Sequence, residues 1–137
     1  MIKNAFGSND DSFATAKFLG TLRASSSPIQ LKYKGKLNKN DTVDFFRLDI
    51  APGAAFATLT GFGNVRGGRL QVNSFVGVGG AAPTKSLSLV YNPGPYTESS
   101  STPFVNNLSS KIQLYIEVRS LSNSKKIVYK ATSFFNP

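Results

Sequence analysis

The amino-acid sequence predicts an all-β protein: an antiparallel two-sheet β-sandwich, jelly-roll or immunoglobulin-like, with about 7–8 strands and a short N-terminal helical turn. Three observations carry that expectation. Apolar and polar residues alternate over short stretches, the period-two signature of strands with one face in a core. Clusters of Gly, Pro, Asn and Ser separate these stretches and supply turn chemistry. Outside one N-terminal segment, no apolar pattern of helical period runs for more than a few turns.

In chain order, NDDSFATAKFLG (9–20) is the segment that reads as helical, with Asp10, Asp11 or Ser12 placed to cap a turn ending near Leu19. IQLKYKGKL (29–37) alternates Ile29, Leu31, Tyr33 and Leu37 against Gln30, Lys32, Lys34 and Lys36. One face of that strand enters a core, and the other carries a row of ammonium groups. NKND is a polar turn. DTVDFFRLDI then sets Phe46, Leu48 and Ile50 inward against Phe45, Arg47 and Asp49, and APG (51–53) ends it.

AFATLT reads as a strand, GFGNVRGG as a glycine-rich turn, and RLQVNSFV as a strand broken by GVGGAAPT. SLSLVY alternates Leu87, Leu89 and Tyr91 with Ser86, Ser88 and Val90, and residues 92–110 read as a long polar loop. KIQLYIEVRS is the clearest strand, with Ile112, Leu114, Ile116 and Val118 inward and Lys111, Gln113, Tyr115, Glu117 and Arg119 outward. SNSKK turns the chain into a last strand, KIVYKATSFF.

Composition narrows the function classes. A chain of 137 residues forms one domain that buries roughly two thirds of its unfolded surface. It has no cysteine and no histidine, which excludes a disulfide scaffold, a thiolate metal site and the usual nucleophile–histidine pairs. The opening MIKNAFGSNDD lacks the ~7–15 apolar residues of an export signal, and no stretch reaches the ~18 of a membrane span. The expectation is a soluble, cytoplasmic protein. Sixteen Lys and Arg against seven Asp and Glu give a net charge of +9, a field that favours acidic partners. The charges are dispersed singly, with no basic tail.

Three segments together resemble the bacterial pre-peptidase C-terminal domain. NDDSFATAKFLGTL is similar to that family's opening, KGKLNKNDTVDFFRLDIAPGAAFATL to its central motif, and KIQLYIEVRSLSNSKKIVYKATSF to its closing hairpin. The resemblance covers most of residues 9 to 135, which sets 1–8 aside as an N-terminal extension and 9–137 as the domain. It implies a small β-sandwich, a cyanobacterial host, and a non-catalytic binding or folding module of the kind appended to secreted proteases and surface proteins. Some relatives hold calcium through carboxylates. Here the corresponding stretch, GGRLQVNSFVGVGG, carries no acidic residue.

The residues offer little for catalysis. No motif singles out a Ser–Lys pair, and Asp44 shares the inward parity of Phe46, where a carboxylate accepts structural hydrogen bonds. The chain is expected not to be an enzyme. Asn9, Asp10, Asp11 and Asp41 form the one conceivable set of hard oxygen ligands for a metal, but capping and turn formation account for them, and no metal or cofactor is expected. GFGNVRGGRL and GVGG do not open a helix, so they read as hairpin turns rather than phosphate loops. Arg66 and Arg69 near Phe62 offer some surface for nucleic acid. Most of the eleven Phe and five Tyr lie at inward parity, however, and no nucleic-acid motif is present.

Protein binding remains. The candidate residues are Lys32, Lys34, Lys36, Phe62, Arg66, Arg69, Tyr96, Phe104, Phe134 and Phe135, with Lys125, Lys126 and Lys130 adding to the field. Phe134 and Phe135 have opposite parity, so only one of them enters a core. The expectation is a basic accessory or linker-type subunit that docks onto an acidic cytoplasmic assembly, in a cyanobacterium the phycobilisome antenna. The alternative is an extracellular or surface module that binds polysaccharide or matrix, with nucleic acid ranked third.

Overall fold

The computed structural model describes residues 2–4, 12–24, 27–79, 82–91, 94–98, 102–121 and 126–136, with side chains described at all of these except 2–4, 58, 59, 63, 64, 87, 94–98 and 102–104. They form eleven strands: β1 (Ile2–Asn4), β2 (Lys17–Leu22), β3 (Ile29–Leu37), β4 (Val43–Ile50), β5 (Ala55–Arg66), β6 (Leu70–Val78), β7 (Thr84–Tyr91), β8 (Gly94–Glu98), β9 (Thr102–Val105), β10 (Ile112–Ser120) and β11 (Ile127–Asn136). A six-stranded sheet runs β1-β3-β11-β5-β8, with β9 also paired to β5, and a five-stranded sheet runs β2-β4-β10-β6-β7. Among the described residues no helix is long and apolar enough to cross a membrane. The two-sheet sandwich is the fold expected from the alternation.

The differences from the sequence reading lie where local signals compete with tertiary pairing. Of the helical turn over 9–20, the described part keeps one hydrogen-bonded turn at Ser12, whose carbonyl and Oγ both accept the Thr15 amide at 3.3 Å, and instead of continuing to Leu19 the chain extends into β2 from Lys17. A helix that short is marginal alone, whereas pairing with β4 satisfies the backbone and buries Leu19 and Leu22. GFGNV is not a turn, because β5 runs straight through it. The chain reverses only at Gly67, whose φ is +95° and where the Lys126 carbonyl stands in the place of a Cβ. The loop over 92–110 contains β8 and β9, which share the second edge of β5 end to end. The pairing is also not wholly antiparallel, since β1 runs parallel to β3 and β2 parallel to β4. These N-terminal and loop strands raise the count above the expected seven or eight.

Between the sheets lies one apolar core. Phe46, Leu48, Ile50, Leu114, Ile116 and Val118 are buried as their parity requires, with Ile112 partly buried. Each such side chain contributes about 1.5–3 kcal/mol on burial. Asp44 also points inward, fully buried, and accepts a hydrogen bond from the Tyr129 hydroxyl of the opposite sheet at 2.5 Å. Gly35 makes room for this pair, because a Cβ at that position would collide with the Asp44 carboxylate and the Tyr129 hydroxyl. Nearby, the Tyr33 hydroxyl meets Ser133 Oγ at 3.1 Å, and Ser133 Oγ meets Thr60 Oγ1 at 2.9 Å. Burial pushes the Tyr33 phenol well above its ordinary pKa, against a smaller downward pull from Ser133.

Candidate functional site

The outer face of the six-stranded sheet is assembled by register. Lys32 lies opposite Thr132, Lys34 opposite Lys130, and Lys36 opposite Val128, while Val128 in turn lies opposite Arg66. Ala131 and Ser133 share the buried parity with Tyr33, so Lys130, Thr132 and Phe134 share the outer parity with the three lysines. Neighbouring strands stand about 4.8 Å apart, and alternate residues roughly 7 Å apart along a strand. Both spacings are within the Debye length of about 8–10 Å at moderate salt, so the potentials of these cations add. Lys32, Lys130 and Arg66 are exposed, and Lys34 and Lys36 half-buried. Phe134, 38% exposed, adds an aromatic ring beside Thr132.

The outer face of the five-stranded sheet has a different chemistry. Phe13, on the segment leading into β2, lies 5.0 Å from each of the rings of Phe45, Phe75 and Tyr115 in edge-on contact. This cover buries Phe45 and Tyr115, which parity alone assigns to solvent. Asp49 contacts Arg47 Nε at 3.2 Å and accepts a hydrogen bond from Lys111 Nζ at 3.0 Å. Glu117 accepts from Asn73 Nδ2 at 2.6 Å and from Arg119 Nη2 at 3.2 Å. The Arg47 guanidinium also stacks 4.7 Å from the Phe18 ring centroid, and Lys85 Nζ lies 6.0 Å from that of Phe75.

The structure sorts the candidate residues. Lys32, Lys34, Lys36, Arg66 and Phe134 come together on one face, and Lys130 joins them. Exposed Arg69 sits at the start of β6, at the end of the sandwich where the turn after Arg66 packs on Lys126. Two candidates are corrected. Phe62 is fully buried against Tyr33, Tyr91 and Tyr129, because β5 continues through what reads as a turn and its parity turns Phe62 inward. Phe135 is also fully buried, with Phe56 at 6.3 Å, so of the terminal pair Phe134 alone reaches solvent.

For Tyr96 and Phe104 only the backbone is described: Tyr96 is paired with Gly63, and Phe104 with Phe56. Asn9, Asp10, Asp11 and Lys125 lie outside the described residues. Asp41 closes the tight β3–β4 turn through a backbone bridge to Asn38. Among the described residues no group of three or more Asp, Glu, His or Cys stands together as a metal site. The sequence gives no sign of the Phe13 cover, because a single Phe in a polar segment carries no periodicity.

No protein-family model matches the chain, and no curated protein matches it. Among solved structures, it is similar to the pre-peptidase C-terminal domain of a collagenase from Bacillus anthracis. The TM-score is 0.47 at 15% identity, over 88% of this chain and 92% of that one. It is also similar to part of the insecticidal delta-endotoxin Cry8Ea1 from Bacillus thuringiensis, with a TM-score of 0.40 at 16% identity over 78% of this chain and 19% of that one. A β-glucosidase from Paenibacillus barengoltzii matches with a TM-score of 0.38 at 8% identity, over 96% of this chain and 13% of that one.

Proposed function

We propose that the chain is a non-catalytic binding module, a basic accessory or linker-type subunit that docks onto an acidic cytoplasmic protein assembly through the outer face of its six-stranded sheet. The observation that carries this reading is the register that gathers Lys32, Lys34, Lys36, Lys130, Arg66 and Phe134 on one face. The described carboxylates with assigned contacts support the absence of catalysis. Asp44 is held by Tyr129, Asp49 by Arg47 and Lys111, and Glu117 by Asn73 and Arg119, each in a structural role. In a cyanobacterial host, the phycobilisome antenna is the acidic assembly of this reading. Basic rim groups steer encounter with an acidic surface, and an exposed aromatic such as Phe134 supplies a desolvated anchor.

The test is association of the purified protein with immobilised poly-L-glutamate, a neutral polysaccharide and single-stranded RNA. Poly-L-glutamate should bind, and raising the ionic strength from ~0.05 to ~0.5 M should slow its association by roughly tenfold. Salt-insensitive binding to the neutral polysaccharide alone would replace this reading with the surface-module alternative. Preferential binding to RNA would replace it with nucleic-acid recognition.

A further inference from the structure

The outer face of the six-stranded sheet changes character along its length. Directly opposed antiparallel residues share a face, so the register carries the outer side of β11 onto β5 and β9. Phe134 lies opposite Leu59, and Ala55 opposite Val105. On β5 the buried Phe56 separates Ala55 from Ala57, which turns both alanines outward, and both are exposed. Val105 is 57% exposed and Phe134 38%. A solvated sheet face alternates to polar residues, as Gln30, Lys32, Lys34 and Lys36 do on β3. From Phe134 across position 59 to Ala57, Ala55 and Val105, the outward positions are apolar and adjoin one another. A contiguous strip, unlike a scattered apolar residue, marks an interaction surface. The strip abuts the basic field: Phe134 is opposite Gln30 and Thr132 opposite Lys32, so Phe134 and Lys32 are diagonal neighbours about 7–8 Å apart. Lys130 follows on β11, roughly 13 Å from Phe134.

We propose that this face binds an acidic polypeptide segment with an apolar side chain close to its carboxylates. The carboxylates meet Lys32 and Lys130, and the apolar group covers the strip. An extended partner spans those separations in roughly two to four residues. This partner chemistry presupposes the docking face proposed above. Charge complementarity selects an anion, and the strip selects among anions. Single-stranded nucleic acid stacks its bases on several rings, and Val105, Ala55 and Ala57 offer none. Seating on a bilayer buries an apolar face about 5–10 Å into the headgroup–acyl boundary, and alanine methyls do not reach beyond the sheet surface. A Leu or Tyr side chain of a peptide, in contrast, lies against such a strip at van der Waals contact. Salt screens the charges but not the apolar contact, so the complex resists salt better than charge alone allows.

The experiment compares binding of the full chain to immobilised poly-L-glutamate and to a glutamate-rich glutamate–tyrosine copolymer of the same length. Both should bind at ~0.05 M salt, and at ~0.5 M the copolymer should dissociate at least about fivefold more slowly than poly-L-glutamate. Phe134→Ser with Val105→Ser should bring the copolymer's dissociation rate to that of poly-L-glutamate. Both positions are exposed, and thermal melting checks that the double variant folds. Ala57→Gln, also exposed, serves if it does not. Equal dissociation of the two polymers from the wild type, or a difference that survives these changes, would overturn the inference and leave the docking face standing. Failure of both polymers to bind at ~0.05 M salt would overturn the docking face itself. Tighter binding to phosphatidylcholine–phosphatidylserine vesicles than to the copolymer would replace the polypeptide with a membrane surface.

Discussion

The two outer faces of this sandwich are made by the same rule and end in opposite conditions. On the five-stranded sheet, the residues that alternate outward from β4 and β10 are covered: Phe13 sits on Phe45, Phe75 and Tyr115. Asp49 and Glu117 are buried against their cationic partners. On the six-stranded sheet, the outward residues of β3 and β11 stay at the surface as a basic field. A surface becomes a docking site less by its composition than by what the rest of the chain leaves uncovered. On the five-stranded face Arg47, Lys111 and Arg119 each meet a carboxylate and Lys85 lies beside the Phe75 ring, contacts with which a partner at that face would compete.

The contrast breaks most visibly at Phe13. Phe13→Ala should destabilise the protein by about 2–4 kcal/mol in urea unfolding, because it opens a cavity against three rings and wets Phe45 and Tyr115. A loss below about 0.5 kcal/mol would mean that the face is not sealed by this residue. Next comes Asn73→Ala, which removes the amide donor from the buried Glu117 carboxylate and should cost about 1–3 kcal/mol.

Tyr33 stands on the inner side of the basic strand and provides a pH probe. Its pKa is raised in the folded state above the ordinary value of 10.0, so the unfolded chain loses this proton first. Fewer protons bound to the unfolded state mean that stability falls as pH rises past about 10, by up to about 1.4 kcal/mol per pH unit. Tyr33→Phe should flatten that decline, and an unchanged slope would show that the phenol is not the group responsible. The smallest effect belongs to the lysines. Replacing Lys32, Lys34 and Lys36 with Gln should change stability by less than about 1 kcal/mol, yet slow association with poly-L-glutamate and reduce its dependence on salt.

Alternation was enough to place the core strands and their faces. Phe46, Leu48, Leu114 and Val118 are where parity puts them, as is Asp44. The lysines of β3 were legible for the same reason. Alternation fails where an element is decided by distant pairing. Phe62 lies between Gly61 and Gly63, with Asn64 next, a local signal for a turn, but β11 and β8 hold that stretch extended from both sides. Residues 17–19 close the segment that reads as helical, yet the open edge of β4 recruits them into a parallel strand. Parity also says nothing about cover, so Phe45, Tyr115 and Glu117 read as exposed when they are buried. Of the candidate site, the β3 lysines follow from one segment, whereas their meeting with Lys130, Arg66 and Phe134 depends on a sheet order that no local pattern contains.

The claim that the basic face is the one that docks is tested most directly by lysine footprinting, in which amines are acetylated with and without saturating poly-L-glutamate and read by mass spectrometry. Protection should concentrate at Lys32, Lys34, Lys36 and Lys130, and Lys85 and Lys111 on the other sheet should react as in the free protein. Equal protection on both faces, or protection centred on Lys85 and Lys111, would contradict it.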